Sequence, residues 1–202
     1  MLANLYMNRF LRYWRITGRG EVFRAQVVNY ADDFVILSRG CAAEALDWTR
    51  SVMTRIGLTL NEAKTGIKQA RTERFDFLGY TFGPHRLRKD GHVYLGASPS
   101  KKSVSRLRQK VGGLLVGQNV APWTEVRDRL NRILRGWSNY FGYGTRLMAY
   151  RAVDNYVYER VGHFLRHRHR VSSRGTSSFS DAVVFGRLGV LRLRHVHIGR
   201  LP

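Results

Sequence analysis

The sequence predicts an α+β protein in which an antiparallel sheet with helices precedes a small all-α bundle. Up to about residue 98, short runs rich in Val, Ile and Phe are separated by polar turns, which is typical of strands and hairpins. From residue 99 onward, apolar residues recur every three or four positions, which is typical of amphipathic helices. The apolar fraction of 44% is ordinary for a protein that buries a core.

The first part combines helices and short strands. Apolar residues at helical spacing predict helices over residues 2–14 and 42–56, and Gly57 is a natural end for the second. Two apolar runs on either side of residues 29–33 predict a β-hairpin. The remaining predicted elements are strands over residues 65–69 and 75–82 and a hairpin over residues 86–95, with Asp90-Gly91 as a two-residue turn.

Three apolar stripes predict three helices that pack as a bundle with basic outer faces. Pro122 stands near the start of the second helix, where proline is favoured. The stripes are Val104, Leu107, Val111 and Leu114; Val126, Leu130, Ile133, Trp137 and Tyr140; and, within residues 146–170, Val153, Tyr156, Val157, Val161, Phe164 and Leu165. The sequence leaves the structure of residues 172–202 open.

The charge of the chain is strongly positive, with 35 Lys and Arg against 14 Asp and Glu and a net +21. Residues 84–202 carry 23 basic and 6 acidic groups, whereas residues 1–83 carry 12 and 8. Such a surplus attracts polyanions, of which nucleic acid is the commonest; a solvated basic surface is the alternative. One cysteine excludes a disulfide framework, and arginines interrupt the apolar N-terminus, so we expect a cytoplasmic protein without a membrane span.

Asp32 and Asp33 are adjacent carboxylates at the tip of the first predicted hairpin. Adjacent carboxylates repel, so a fold that holds them together often supplies a cation, and Mg²⁺ prefers such oxygens. Nucleotide polymerases use paired carboxylates to hold two metal ions at the transferred phosphate. A solvated Asp-Asp turn that only connects two strands is the alternative.

Four segments together resemble reverse transcriptases of the group II intron branch and their maturases. They are the Tyr-Ala-Asp-Asp box at residues 30–33, the segment at 57–65, the Phe-Asp-Phe-Leu-Gly-Tyr block at 75–80 and the Gly-Trp-Ser-Asn-Tyr-Phe signature at 136–141. One box alone is a weak signal, but four in the family's order across residues 1–171 are specific. The implied domains are a partial reverse-transcriptase palm over 1–83, a hairpin connector over 84–98, a maturase-specific thumb (domain X) over 99–171 and a C-terminal extension over 172–202.

The resemblance implies roles for individual residues. Asp32 and Asp33 would be metal ligands for Mg²⁺, and Tyr30 would lie beside the incoming nucleotide or the primer end. Lys64 would steady the leaving phosphate, with an ordinary surface lysine as the alternative. The implied primer grip is formed by Phe77, Leu78 and Gly79, for which core packing is a compatible alternative.

The family pattern also requires a third carboxylate on an earlier strand and a fingers region, for which this sequence shows no counterpart. We therefore expect the chain to be a C-terminal portion of such a protein and a poor polymerase alone. The function predicted is RNA-directed DNA polymerase and intron maturase, with group II intron RNA, an RNA template with DNA primer and dNTP as partners. An RNA-binding maturase whose acidic pair is idle is the alternative, and a basic protein without catalytic ancestry is a third.

Basic residues on the three predicted helices are candidates for phosphate contacts, because the planar arginine fork donates two parallel hydrogen bonds. Aromatic residues there are candidates for base stacking, although core packing is the ordinary role at helical spacing. His163, His167 and His169 fit a basic face better than a metal site. The predicted RNA-binding residues are Lys101, Lys102, Arg106, Arg108, Lys110, Arg127, Arg132, Arg135, Arg166, Arg168 and Arg170.

Overall fold

The computed structural model describes residues 2–87, 89–169 and 179–196. The chain divides into two compact units, an N-terminal unit of residues 1–69 and a C-terminal unit of residues 70–202. Helices and small antiparallel sheets occur in the order expected, so the predicted α+β class is confirmed. None of the helices within the described part of the chain is long and apolar enough to cross a membrane.

The N-terminal unit is built from helices around one β-hairpin. Its elements are α1 (Leu2–Ile16), α2 (Arg19–Val22), β1 (Ala25–Tyr30), β2 (Asp33–Ser38) and α3 (Ala42–Arg55). The core is aromatic: the Phe10 ring lies 5.4 Å from Phe34, and the Trp14 ring lies 5.6 Å from Trp48. Offset and tilted ring pairs of this kind add stabilisation beyond burial alone. Because Phe34 of strand β2 belongs to this core, the core holds the hairpin in a defined position.

The predicted helices and hairpin of this unit are confirmed, but the strand predicted over residues 65–69 is wrong. These residues form an irregular segment that belongs to neither of the two sheets in the described structure. Ile67, the apolar residue in the middle of the segment, is half exposed. A strand needs neighbouring backbone to pair with, and local propensity cannot supply it.

The C-terminal unit begins with a three-stranded antiparallel sheet. Its strands are β3 (Phe75–Phe77), β4 (Tyr80–Arg86) and β5 (Val93–Pro99), in that order across the sheet. The single strand predicted over 75–82 is therefore wrong: Leu78 and Gly79 form a turn in its middle. The hairpin predicted over 86–95 is confirmed, but Arg86 pairs with Val93, so its loop is longer than the two-residue turn expected at Asp90-Gly91. Arg88 in that loop lies outside the described residues.

Three helices follow the sheet and form the main core of the C-terminal unit. They are α4 (Lys101–Leu114), α5 (Trp123–Tyr140) and α6 (Leu147–His169). The three predicted helices are thus confirmed, and most of the predicted stripe residues line the core. Tyr140 is the exception: 55% of its surface is exposed. It lies in the last turn of α5, where its hydroxyl binds the Leu78 carbonyl instead of packing among the helices.

Residues 179–196 pack on α5 and α6 through side chains that bind main-chain atoms. Asn131 donates to the Gly189 carbonyl (2.8 Å) and accepts from the Leu191 N–H (2.7 Å). Asp154, which is 1% exposed, accepts from the Leu193 N–H at 2.8 Å. This segment contains a π-helical turn (Val183–Arg187) and a 3₁₀ turn (Leu193–His195), neither of which the sequence indicated.

The predicted palm, connector, thumb and extension boundaries do not coincide with these compact units. Residues 75–99 form one continuous sheet in the C-terminal unit, so the boundary predicted at 83/84 falls inside strand β4. The division into compact units lies between residues 69 and 70, and the predicted domain boundaries stay predictions. The assignment of these segments to a palm and a thumb stays a prediction.

Candidate functional site

The acidic pair lies at the tip of the hairpin formed by β1 and β2. Tyr30 and Asp33 face each other as the last paired residues of the ladder, which leaves Ala31 and Asp32 as the turn. Ala31 has a φ of +55°, in the left-handed region that disfavours residues with a Cβ atom. Tyr30 is 65% exposed, and both aspartates are exposed. The hairpin therefore presents two carboxylates and one phenol to the solvent.

The carboxylates of Asp32 and Asp33 have no hydrogen bond or ion pair to other residues within the described part of the chain. They fit one or two oxygen ligands of Mg²⁺, which commonly takes its remaining ligands from phosphates and water. Among the described residues, no group of three or more His, Cys, Asp or Glu side chains lies together as a metal site. Asp32 and Asp33 thus stay predicted metal ligands, and any further ligands would have to come from substrate, solvent or other protein groups.

Lys64, the residue predicted to steady a leaving phosphate, lies in a turn after α3. Its backbone N–H donates to the Asn61 carbonyl at 2.9 Å, and its side chain is exposed. Nearby, Glu62 forms an ion pair with Arg50 at 2.8 Å, which ties this turn to α3. The Arg50 guanidinium lowers the pKa of Glu62 by hydrogen bonding, which favours the ionised carboxylate that pairs with this arginine. The role of Lys64 stays a prediction.

The predicted primer-grip residues form the tight turn between β3 and β4. Phe77 pairs with Tyr80, and the two residues between them have positive φ, +49° at Leu78 and +78° at Gly79. Positive φ at both central residues is the signature of a type I′ turn, whose twist matches a hairpin. Leu78 adopts this conformation without the freedom of glycine, which indicates that the surroundings hold it there.

The support for this turn comes from the starts and ends of the neighbouring helices. The Ser100 N–H and the Ser103 hydroxyl both donate to the Gly79 carbonyl, at 2.9 and 2.8 Å. The Tyr140 hydroxyl donates to the Leu78 carbonyl at 2.9 Å. A Cβ atom at Gly79 would lie 2.9 Å from the Ser103 hydroxyl oxygen, so only glycine fits. The turn is thus fixed to α4 and α5 by its main-chain atoms.

Two tyrosines complete this contact. The Tyr80 hydroxyl donates to the Tyr140 carbonyl at 2.7 Å, and the Tyr80 ring lies 4.9 Å from Phe141. Burial raises the pKa of Tyr80, so its hydroxyl remains a donor at neutral pH. The contacts that Ser103, Tyr80 and Tyr140 make around this turn were not predicted from the sequence. The pair Ser100 and Ser103 at a helix start is a capping signal, but no local signal connects Tyr140 with the turn.

Nine of the eleven predicted RNA-binding residues fall into two groups by their contacts. Lys101, Lys102, Arg106, Lys110, Arg132 and Arg135 are exposed on α4 and α5, with head groups that no partner in the described part of the chain holds. Other guanidinium groups are engaged: Arg108 donates to the Ala152 carbonyl, Arg168 to the Ala121 and Val120 carbonyls, and Arg127 pairs with Asp128. Arg166 is half-buried on α6, and Arg170 lies outside the described residues.

The aromatic residues divide in a similar way. Trp137 and Phe141 lie in the core as predicted, with ring centroids 4.8 Å apart, and Phe141 is 6% exposed. Tyr150 is fully buried, donates to the Ser138 and Phe141 carbonyls, and its pKa is raised to about 12 by burial. Only Tyr140 and Tyr143 among the large aromatics of α5 and the following loop are more than half exposed in the described part of the chain.

The helical part of the chain is similar to known proteins. Residues 104–178 match the family model described as group II intron, maturase-specific domain. A protein of Schizosaccharomyces pombe described as an uncharacterized 91 kDa protein in the cob intron is 29% identical, over 57% of this chain and 17% of that protein. The chain thus spans less than a fifth of the length of this relative.

The matched range covers most of α4, all of α5 and α6 and the Gly-Trp-Ser-Asn-Tyr-Phe signature, but it does not extend to the hairpin with Asp32 and Asp33. The predicted resemblance is therefore confirmed for the helical region, while the palm stays a prediction. The match to the maturase-specific domain thus lies within the C-terminal unit, over residues 104–178.

Proposed function

We propose that this chain binds group II intron RNA and assists its splicing as a maturase. One observation carries the proposal: the helices that match the maturase-specific domain present exposed cations, free of internal partners in the described structure. Lys102, Arg106 and Lys110 follow one another at intervals of four residues on α4 and therefore share a face. Such a face contacts the phosphates of a folded RNA and reads its shape.

The salt dependence of RNA binding tests this proposal. Each phosphate neutralised by a cation releases counterions, so affinity for a structured intron RNA should fall steeply as salt rises. Replacing Lys102, Arg106 and Lys110 together by glutamine should reduce the slope of log affinity against log salt by about 1 for each phosphate that is no longer neutralised. Binding is measured by fluorescence anisotropy of labelled RNA across a salt series.

A matched control removes the same charge from the N-terminal unit. Arg12, Arg39 and Arg55 are exposed there, and their replacement by glutamine lowers the net charge by the same amount. We expect this variant to keep the wild-type slope apart from a small long-range effect. Equal loss of affinity in both variants would show that only net charge matters, and salt-independent binding would refute the proposal.

RNA-directed DNA synthesis is a second candidate function, favoured by the exposed hairpin with Tyr30, Asp32 and Asp33. The two carboxylates would hold Mg²⁺, which would activate a primer hydroxyl and stabilise the departing pyrophosphate of a dNTP. Tyr30 stands opposite Asp33 in the hairpin and so lies beside such a site. We expect weak synthesis by this chain alone, because two adjacent carboxylates without a third ligand order two metal ions poorly.

Primer extension on an RNA template with Mg²⁺ tests the second candidate. Any synthesis that depends on the hairpin should be lost in Asp32→Ala, whereas Asp47→Ala, at an exposed aspartate on α3, serves as the matched control. Robust synthesis by the native chain that Asp32→Ala abolishes would overturn the expectation of an incomplete site. Synthesis that survives Asp32→Ala would show that the hairpin is not its source.

A further inference from the structure

A cavity of about 440 Å³ lies between the loop after α4 and the last turns of α6. Its floor is formed by Leu115 and Phe164, which are almost completely buried. Arg160, His163 and His167 line its walls. The volume falls within the range of about 300–1,000 Å³ that is usual for small-ligand sites.

The walls of the cavity carry donors and planar rings, and none of the residues that line it is acidic. The Arg160 guanidinium donates to the Leu115 carbonyl at 3.1 Å, and its buried Nε–H has no acceptor in the described structure. A guanidinium and two imidazoles without an acidic neighbour form a wall that favours an anion. His163 and His167 are one helical turn apart, so both rings lie on the same face of α6.

The loop that borders the cavity is fixed before any ligand arrives. Asn119 donates to the Leu114 carbonyl at 2.9 Å, and Arg168 donates to the Ala121 carbonyl at 2.7 Å. At Gly117, an added Cβ atom would lie 3.0 Å from the His167 ring, so the absence of a side chain lets this ring approach the loop. A preformed site loses little ordering entropy on binding.

We propose that this cavity binds one unpaired nucleotide of the RNA, with its phosphate at Arg160 and the two imidazoles and its base against the apolar floor. The inference rests on the proposed RNA-binding function and specifies that the bound RNA contains an unpaired nucleotide. A paired nucleotide in an A-form helix keeps its base stacked and inaccessible, whereas loops and bulges present bases that stack on aromatic rings. The cavity therefore distinguishes RNA with unpaired residues from plain duplex.

The test compares two labelled RNAs with equal numbers of phosphates, a hairpin with an unpaired loop and a fully paired duplex. Gly117→Leu fills the cavity without changing any charge, and we expect it to weaken hairpin binding about tenfold while duplex binding is unchanged. Gly186→Leu is the matched control, because Gly186 is exposed in the π-helical turn with open space around it and lies outside the cavity lining. It should bind both RNAs like the wild-type chain.

The outcomes separate this inference from the proposed function. If Gly117→Leu binds the hairpin like the wild-type chain, or weakens hairpin and duplex equally, the nucleotide site is refuted while RNA binding stands. If the wild-type chain binds neither RNA, both proposals fail. If Gly117→Leu melts at a lower temperature, the double variant His163→Gln/His167→Gln replaces it in the test. Both of these side chains are exposed, so their substitution should leave the fold intact. The double variant should show the same selective loss of hairpin binding, and wild-type binding would overturn the inference.

Discussion

The two β-hairpin turns that carry predicted metal-binding and primer-binding residues differ in how the surrounding protein supports them. The turn at Ala31-Asp32 is exposed, and its carboxylates have no partner within the described structure. The turn at Leu78-Gly79 is held at both carbonyls by a backbone N–H and by hydroxyl groups from α4 and α5. The first turn is therefore available to ligands, whereas the second is a structural junction as well as a candidate primer grip.

This difference shows where function and stability are expected to separate. Side chains at the exposed turn contribute little to folding, so changes there should alter only ligand binding. Substitutions at residues that support the second turn, or that hold residues 179–196 on the helices, should lower the stability of the fold. Substitutions at these positions test the separation, from the largest expected effect to the smallest.

Gly79→Ala should destabilise the C-terminal unit by about 3 kcal/mol. The added Cβ atom would both adopt a left-handed backbone conformation and collide with Ser103 and Phe141. Urea unfolding measures the loss. Gly91→Ala is the control, since Gly91 has a similar φ of +73° but open space around it, and it should cost about 1 kcal/mol. Equal losses in the two variants would show that the collision with Ser103 and Phe141 adds nothing to the cost of the left-handed conformation.

Asp154→Asn should cost about 1–2 kcal/mol, because the amide nitrogen, unlike either carboxyl oxygen, cannot accept a hydrogen bond, so one of the N–H groups of Leu193 and Arg194 loses its partner. Burial raises the pKa of the Asp154 carboxyl, against the opposing effect of the two N–H donors. Between the unfolded and folded pKa values, the folded protein therefore binds more protons than the unfolded chain. The contribution of this group is complete below about pH 4 and declines as pH rises through the folded pKa.

Urea unfolding at several pH values measures this dependence in the wild-type chain and in Asp154→Asn. The stability advantage of the wild-type chain should be greatest at low pH and smaller at neutral pH. An advantage that grows with rising pH would contradict the raised pKa. Glu159→Gln, at an exposed position on α6, provides the control for a general effect of charge.

Tyr140→Phe should cost about 0.5 kcal/mol, since it removes one hydrogen bond to the Leu78 carbonyl from a side chain that is largely exposed. Thermal unfolding followed by circular dichroism measures this change. Tyr143→Phe, at a similarly exposed tyrosine in the next loop, should leave stability unchanged. A loss in both variants would mean that the hydrogen bond to Leu78 is not the cause.

The double variant Asp32→Asn/Asp33→Asn should unfold within about 0.5 kcal/mol of the wild-type chain, because neither carboxylate has a partner to lose in the described structure. The same denaturation experiment applies. A large loss of stability would show that the acidic pair supports the fold and would remove the contrast between the two turns.

Periodicity predicted most of the secondary structure because each amphipathic helix and the first hairpin carry their own local pattern. The three helical stripes were recognisable since residues such as Leu107, Leu130 and Val157 recur at the spacing of one helix face. The turn at Leu78-Gly79 was not predicted, because a leucine with positive φ contradicts local preference and is held by residues about 24 and 62 positions away.

The candidate site was predictable only in part for the same reason. The Tyr-Ala-Asp-Asp box specifies its own hairpin, so the positions of Tyr30 and Asp33 followed from the sequence. Which cations are free and which are engaged did not follow. Arg108 and Arg168 look like phosphate ligands in the sequence, yet their guanidinium groups bind carbonyls that only the tertiary fold brings near.

The way in which Asn131 and Asp154 hold residues 189–194 has an evolutionary consequence. Both side chains contact main-chain atoms of this segment, which every amino acid except proline presents alike. The identity of most side chains in the segment can therefore drift without loss of docking. Selection should act instead on Asn131 and Asp154, and on Leu193, whose side chain is fully buried.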